Sequence, residues 1–197
     1  MTFTDRLRGF FKGFLDRVGS SLYQLGIGAN FITIMGIVGN IVAAWMISRG
    51  ILLWGGVVAL LIGPLDAIDG AVARAGKGVT SFGAFLDSVT DRYSELALFF
   101  GLYLHFMHQM DENGIVLTFI AAAGSVLVSY TRARAESLGY SIKAGLMTRV
   151  ERYLVLVPGI ILGIPKISLW ILAIFANFTA FQRIWLVWKQ SKNEKKE

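Results

Sequence analysis

The sequence predicts an all-α integral membrane protein, with six transmembrane helices preceded by an amphipathic helix lying at the cytoplasmic interface. Three observations lead there. Of 197 residues, 55% are hydrophobic and 16% charged, whereas soluble domains are about 45–50% apolar and about 25% charged. The apolar residues are gathered into runs, and Lys and Arg are shared very unevenly among the segments between them. No cysteine is present, which excludes a disulfide framework and a thiolate metal site. The organisation expected is one domain, with a lead-in over 1–29, a six-helix bundle over 30–188 and a basic tail over 189–197.

In the lead-in, Phe3, Leu7, Phe10, Phe14 and Val18 recur at spacings of three and four, with Arg6, Arg8, Lys12 and Arg17 between them. A helix of this pattern lies in the interface, apolar face towards the acyl chains and cations towards anionic headgroups. Gly19, Ser20 and Ser21 are expected to break it. The apolar runs follow at 31–47, 51–65, 85–104, 115–130, 153–162 and 167–187. The second and fifth fall short of the ~20 residues that a crossing needs, so they are expected to continue into the polar residues beside them. The first run lacks a small-residue cleavage site and reads as a retained helix. After Trp188 the chain is lysine-rich, which suits a solvated tail attracted to anionic lipid.

Orientation follows from the positive-inside rule. With both termini cytoplasmic, the cations of the lead-in, of 74–77, of 132–152 and of the tail share one face, and the other receives Arg49 and Lys166. This suits the plasma membrane. Asp111 and Glu112 fall on the cation-poor side, with His105 and His108, which read as surface histidines rather than a metal pair.

Four acids stand where a membrane protein can least accommodate them: Asp66 and Asp69 at the end of the second span, Asp87 and Asp91 at the start of the third. Carboxylates at such positions are costly and mark function. Spacings of three and four place each pair on one helix face, and the short connection makes the two helices antiparallel neighbours, so all four can converge. Arg74 and Arg92 cannot neutralise four aspartates. A divalent cation, or two, can, and oxygen-only ligands select Mg²⁺, Mn²⁺ or Ca²⁺ over zinc. Gly70, Ala73 and Gly83 are small residues beside the carboxylates. They leave room for a bulky group such as a pyrophosphate, and equally for close helix packing. Arg74 offers a fork of donors suited to a phosphate oxygen.

Taken together, Asp66-x2-Asp69-Gly70-x2-Ala73-Arg74-x8-Gly83-x3-Asp87-x3-Asp91 resembles the signature of the CDP-alcohol phosphotransferase family. The resemblance extends to the six helices and the lead-in. It implies a membrane enzyme, commonly a homodimer, that moves a substituted phosphoryl group from a CDP-linked lipid to an alcohol and releases CMP. It further implies two Mg²⁺ or Mn²⁺ ions held by Asp66, Asp69, Asp87 and Asp91, with Asp91 also taking the proton of the attacking hydroxyl. By the same resemblance Asn30, Thr33, Gly70, Ala73, Arg74, Thr80 and Gly83 contact the CDP-lipid, CDP-diacylglycerol or an ether-linked counterpart. Ala29 stands where many members carry proline.

A second informative stretch holds Arg132, Arg134, Arg149 and Arg152, with Arg183 inside the otherwise apolar last helix. Topology alone does not select arginine over lysine so consistently, and arginine's bidentate geometry favours a phosphate guest. Tyr130-Thr131-Arg132-Ala133-Arg134-Ala135-Glu136 and the later Gly145-x3-Arg149-x-Glu151-Arg152 are similar to the branch making phosphatidylinositol phosphate and its archaeal counterpart. That similarity implies that Arg132, Arg149 and Arg183 hold the phosphate of inositol phosphate, supported by Arg134 and Arg152. Arg132 stands where many relatives have lysine. Glycerol phosphate, the acceptor of phosphatidylglycerophosphate synthases, shares the same anionic handle. A divalent-cation transporter is a rival from another class, opposed by the clustering of the acids at one membrane face. Nothing points to nucleic acid.

Overall fold

The computed structural model describes residues 3–76, 78–142 and 145–194. Every regular element among the described residues is a helix: α1 (Phe3–Gln24), α2 (Ala29–Ser48), α3 (Leu52–Ile62), α4 (Leu65–Ala75), α5 (Ser81–His108), α6 (Glu112–Ser137), α7 (Arg149–Ile161) and α8 (Pro165–Glu194). They form two units, residues 1–101 and 102–197.

The six apolar runs fall on α2, on α3 continuing into α4, and on α5 to α8. Four segments, Ala29–Ser48, Leu52–Ala75, Glu112–Ser137 and Pro165–Lys192, are long and apolar enough to cross a membrane. The chain is a membrane protein. Its helices turn large apolar side chains outward, among them Trp45, Leu61, Phe119, Trp170 and Phe181, an arrangement that suits lipid and that water would penalise. The remaining two apolar runs, on α5 and α7, differ for physical reasons. Although α5 has 28 residues, it carries Asp87, Asp91, Arg92 and Glu95 between its second and fourth turns. The 13 residues of α7 reach only about 20 Å at ~1.5 Å per residue.

In the first unit, α4 packs on both α1 and α2, and α3 packs on α2. Glycine sets the approach. A Cβ on Gly55 of α3 would fall 2.7 Å from Ile47 Cγ1 and 3.0 Å from the Ala43 carbonyl oxygen of α2, and one on Gly101 of α5 would fall 2.5 Å from the Ala44 carbonyl oxygen. Membrane helices associate through such close backbone contact because lipid supplies no hydrophobic drive between them. Between α3 and α4, Pro64 lacks the amide needed to continue the ladder, and α4 restarts with Ala67 and Ile68 donating to the Pro64 carbonyl at 3.0 and 3.2 Å.

The break expected at Gly19, Ser20 and Ser21 does not occur, since α1 runs on to Gln24. Buried Gly19 faces Ala71 of α4, whose carbonyl carbon lies 2.6 Å from where a Cβ would stand. Ser20 and Ser21 return their hydroxyls to the carbonyls of Asp16 and Arg17, at 2.8 and 3.0 Å. What reads as a helix stop is the contact that docks α1 on α4. Of the amphipathic stripe, the side chains of Phe3, Leu7 and Phe10 lie outside the described residues.

In the second unit, α8 packs on α6 and α7. Asn177 of α8 donates to the Ile120 carbonyl of α6 at 3.2 Å, and Ser168 donates to the Val155 carbonyl of α7 at 2.8 Å. His105 is not a surface histidine. It is 7% exposed, within 3.2 Å of the Gln109 amide nitrogen and edge-on to Phe106. Asp111 caps α6 by accepting from the Gly114 amide at 3.2 Å and forms an ion pair with Lys166 of α8.

Candidate active site

The acidic centre lies within the first unit. Asp66 sits in the first turn of α4 and Asp69 one turn on, while Asp87 and Asp91 occupy successive turns near the start of α5. One carboxylate oxygen each from Asp66, Asp87 and Asp91 lies within 4.8 Å of the others, all three half-buried. Three like charges at that separation repel, and a divalent cation among them turns repulsion into attraction. A donor set of carboxylate oxygens alone fits Mg²⁺ or Mn²⁺. Among the described residues this is the one such grouping of three or more His, Asp or Glu, so His105 and His108 belong to none.

Asp69 stands outside that grouping of three. It is 6% exposed, and its Oδ2 accepts from Thr33 Oγ1 at 2.7 Å. The Thr33 hydroxyl also lies 3.1 Å from the Ala29 carbonyl, but it has one proton, and the shorter contact to a charged acceptor claims it. Thr33, one of the positions the resemblance assigns to the CDP-lipid, thus donates to an aspartate of the motif. That link joins α2 to α4 across 36 residues of sequence, and no local pattern announces it.

The small and basic residues of the motif make contacts of their own. Thr80 caps α5, accepting from the Gly83 amide at 3.0 Å. Asn30 Oδ1 lies 3.6 Å from where a Gly83 Cβ would stand, so the start of α2 and the start of α5 meet there. Ala73 is half-buried on α4, and the Gly78 amide donates to its carbonyl at 3.1 Å. Arg74 Nη2 pairs with Asp16 Oδ1 of α1 at 3.2 Å. Its Nη1 lies 3.4 Å from the place of a Cβ on Gly70. Asp91 does have an arginine partner, Arg92 Nη1 at 3.2 Å, which also donates to the Ser88 carbonyl at 2.9 Å.

The arginines of the second stretch lie in the second unit. Arg152 and Arg183 are 2% and 3% exposed. Arg152 donates to the Met147 carbonyl at 3.2 Å and reaches Ser129 Oγ at 3.5 Å. Arg183 Nη1 donates to the Val128 carbonyl of α6. The charges of Arg132, Arg152 and Glu136 all bear on Arg183, which places these four in one neighbourhood. Arg132 is half-exposed and pairs with Glu136 at 2.8 Å. Arg149 opens α7 and is half-buried. Arg134 is exposed and reaches Ser137 Oγ at 3.5 Å.

An all-helical membrane chain with a carboxylate cluster built from two successive helices defines a metal-using membrane enzyme. The comparisons with known proteins give its family. The sequence profile described as CDP-alcohol phosphatidyltransferase matches residues 27–184, and the chain belongs to that family of transferases. It is 34% identical over 182 residues to an archaetidylinositol phosphate synthase of Pyrococcus horikoshii, covering 92% of this chain and 94% of the relative. It is 33% identical over 186 residues to a phosphatidylinositol phosphate synthase of Mycobacteroides abscessus, covering 90% and 84%. Among solved structures, the phosphatidylinositol phosphate synthase of Mycobacterium tuberculosis with CDP-DAG bound matches with a TM-score of 0.82 at 30% identity, covering 88% of this chain and 93% of that one. The same enzyme in complex with manganese and citrate matches with a TM-score of 0.83 at 29% identity, covering 88% of each.

Proposed function

We propose that this chain is a phosphatidylinositol phosphate synthase. It transfers the phosphatidyl group of CDP-diacylglycerol to inositol phosphate and releases CMP. The observation that carries this reading is the convergence of Asp66, Asp87 and Asp91, a hard-cation centre of the kind a pyrophosphate donor requires, in a chain whose relatives bear that name.

In this reading Asp66, Asp69, Asp87 and Asp91 hold two Mg²⁺ or Mn²⁺ ions. Bound there, the ions neutralise the pyrophosphate and the charge that develops on departing CMP. Arg74 and the bare backbone at Gly70 receive phosphate oxygens, with Asn30, Thr33, Ala73, Thr80 and Gly83 shaping the donor's seat. Asp91 accepts the proton of the acceptor hydroxyl as its oxygen bonds to the phosphorus bearing the diacylglycerol. The bond from that phosphorus to the bridging oxygen breaks, and CMP leaves with the electron pair. Arg132, Arg149 and Arg183 hold the acceptor's phosphate, with Arg134 and Arg152 in support. All six apolar runs cross the plasma membrane, α1 lies on its cytoplasmic face with both termini and the site, and the working form is a homodimer.

The test is CMP release by purified protein with Mg²⁺ or Mn²⁺, supplied with CDP-diacylglycerol or its archaeal ether counterpart. Inositol phosphate, glycerol 3-phosphate and free inositol are compared as acceptors. Release with inositol phosphate alone is expected. Release with glycerol 3-phosphate alone overturns the acceptor assignment, and no release with either donor and any acceptor overturns the activity.

A further inference from the structure

Gly145 begins the segment 145–148 that leads into α7, and it lies directly against Arg183. A Cβ built on it would fall 2.8 Å from Arg183 Nη2, 3.2 Å from Nε and 3.1 Å from Thr179 Cγ2. The guanidinium cannot swing out into solvent without loss, because Arg183 is 3% exposed, Thr179 beside it is fully buried and Nη1 donates to the Val128 carbonyl. Two residues on, the Met147 carbonyl accepts from buried Arg152 at 3.2 Å. The segment therefore rests on two buried cations, and at Gly145 it does so with backbone alone.

A chain that only had to connect α6 to α7 could pass an arginine at any distance. This one approaches to where a single methyl would displace the guanidinium, and Arg183 is the cation that the function proposed above assigns to the acceptor's phosphate. We infer that Gly145 is a specificity-determining positioning residue. Its missing side chain fixes where the Arg183 guanidinium stands, and hence how strongly a phosphorylated alcohol is preferred over an unphosphorylated one. The inference rests on that assignment of Arg183.

The experiment measures CMP release by Gly145→Ala while each substrate is varied in turn. The expected result is a KM for inositol phosphate raised about ten-fold, the loss that goes with a misplaced charge-assisted hydrogen bond. The KM for CDP-diacylglycerol stays within about two-fold, and the preference for inositol phosphate over free inositol falls in proportion. In an Arg183→Lys background, where the crowded nitrogens are gone, the same substitution costs less than about three-fold, as coupling between touching residues requires. Equal losses for donor and acceptor, or the same penalty in both backgrounds, overturn the inference. If Gly145→Ala does not fold, recovery of folding in Gly145→Ala/Arg183→Lys supports the contact, and continued failure assigns the need for glycine to the positive φ of 157° at this position, which overturns the inference. A wild-type enzyme indifferent to acceptor phosphorylation would instead bring down the assignment of the arginines, a result separable from the others because it is read before any substitution.

Discussion

Replacing Thr33 by valine keeps the volume and branching of the side chain and removes one proton donor. In the structure that proton goes to Asp69 Oδ2 at 2.7 Å, a buried carboxylate one turn beyond Asp66 on α4. Hydrogen bonds to charged groups are worth about 1.5–3 kcal/mol. At about 1.36 kcal/mol per factor of ten, the loss corresponds to roughly a 10- to 150-fold weakening of whatever the oriented carboxylate binds. Outer-shell partners of metal ligands give an independent range of about 10- to 100-fold in metal affinity, and the two agree. The assay is CMP release titrated with Mn²⁺ at saturating substrates. Thr33→Val should need about ten-fold more Mn²⁺ or above for half-maximal rate, and Thr33→Ser, which restores the donor, should return most of it. An unchanged Mn²⁺ requirement in Thr33→Val would refute the reasoning, because the shortest polar contact of Asp69 would then contribute nothing to the centre.

Asp91→Asn keeps the shape of the proposed base and abolishes its proton affinity, so turnover should fall by about 10²–10⁴-fold while CDP-diacylglycerol binding, followed by equilibrium titration, persists. A rate near that of the wild type would remove Asp91 from the role. Arg149→Ala should raise the KM for inositol phosphate by about ten-fold or more through loss of a charge-assisted contact and leave the donor KM nearly unchanged, which initial-rate measurements with each substrate varied will separate. At the far end of the second unit, the hydrogen bond and charge of Lys166 hold Asp111 below the ordinary aspartate value of 3.8. A depressed folded-state pKa means that the Asp111–Lys166 pair stabilises the protein fully above that value and ceases to do so as pH falls through the lower, folded one. Melting curves across that acid range should therefore show Lys166→Met losing its disadvantage against the wild type as the pH drops, whereas a difference independent of pH would contradict the pairing.

The parts of this molecule that could be read from its sequence are those governed by local spacing. Asp66, Asp69, Asp87 and Asp91 declare themselves because carboxylates beside apolar runs are costly, and intervals of three and four assign them to helix faces before any fold is known. Arg183 was conspicuous for the same reason. Its partner was not, because the Val128 carbonyl stands 55 residues earlier on another helix and belongs to tertiary packing. The hydrogen bond of Thr33 to Asp69 is hidden in the same way, since 36 residues of sequence separate the two. Gly19, Ser20 and Ser21 misled because glycine and serine carry two meanings. In water they terminate helices, and against another helix they permit contact, and only the presence of Ala71 of α4 decides between them. His105 misled because a position near the end of an apolar run does not say which way the helix turns it.

The relatives sharpen which half of the substrate problem this fold can solve strictly. Two of them, at 34% and 33% identity, are named for different lipids, archaetidyl and phosphatidyl, yet for the same inositol phosphate headgroup. Apolar contact discriminates weakly, because a chain fitting against outward-facing side chains such as Trp45 or Phe119 gains or loses only about 1–3 kcal/mol per misplaced group. A buried polar site discriminates far more sharply, since a guest without the expected phosphate leaves buried donors unmatched. Arg152 and Arg183 are such donors, almost wholly removed from solvent, and the Met147 and Val128 carbonyls accept from them. On the assignments proposed above, selectivity for the acceptor can therefore be strict where selectivity for the lipid tails is loose, and it rests on residues of the second unit while the carboxylate cluster stands in the first. By that proposal a change of acceptor calls for alterations around Arg132, Arg149, Arg152 and Arg183, with Asp66, Asp87 and Asp91 left as they are.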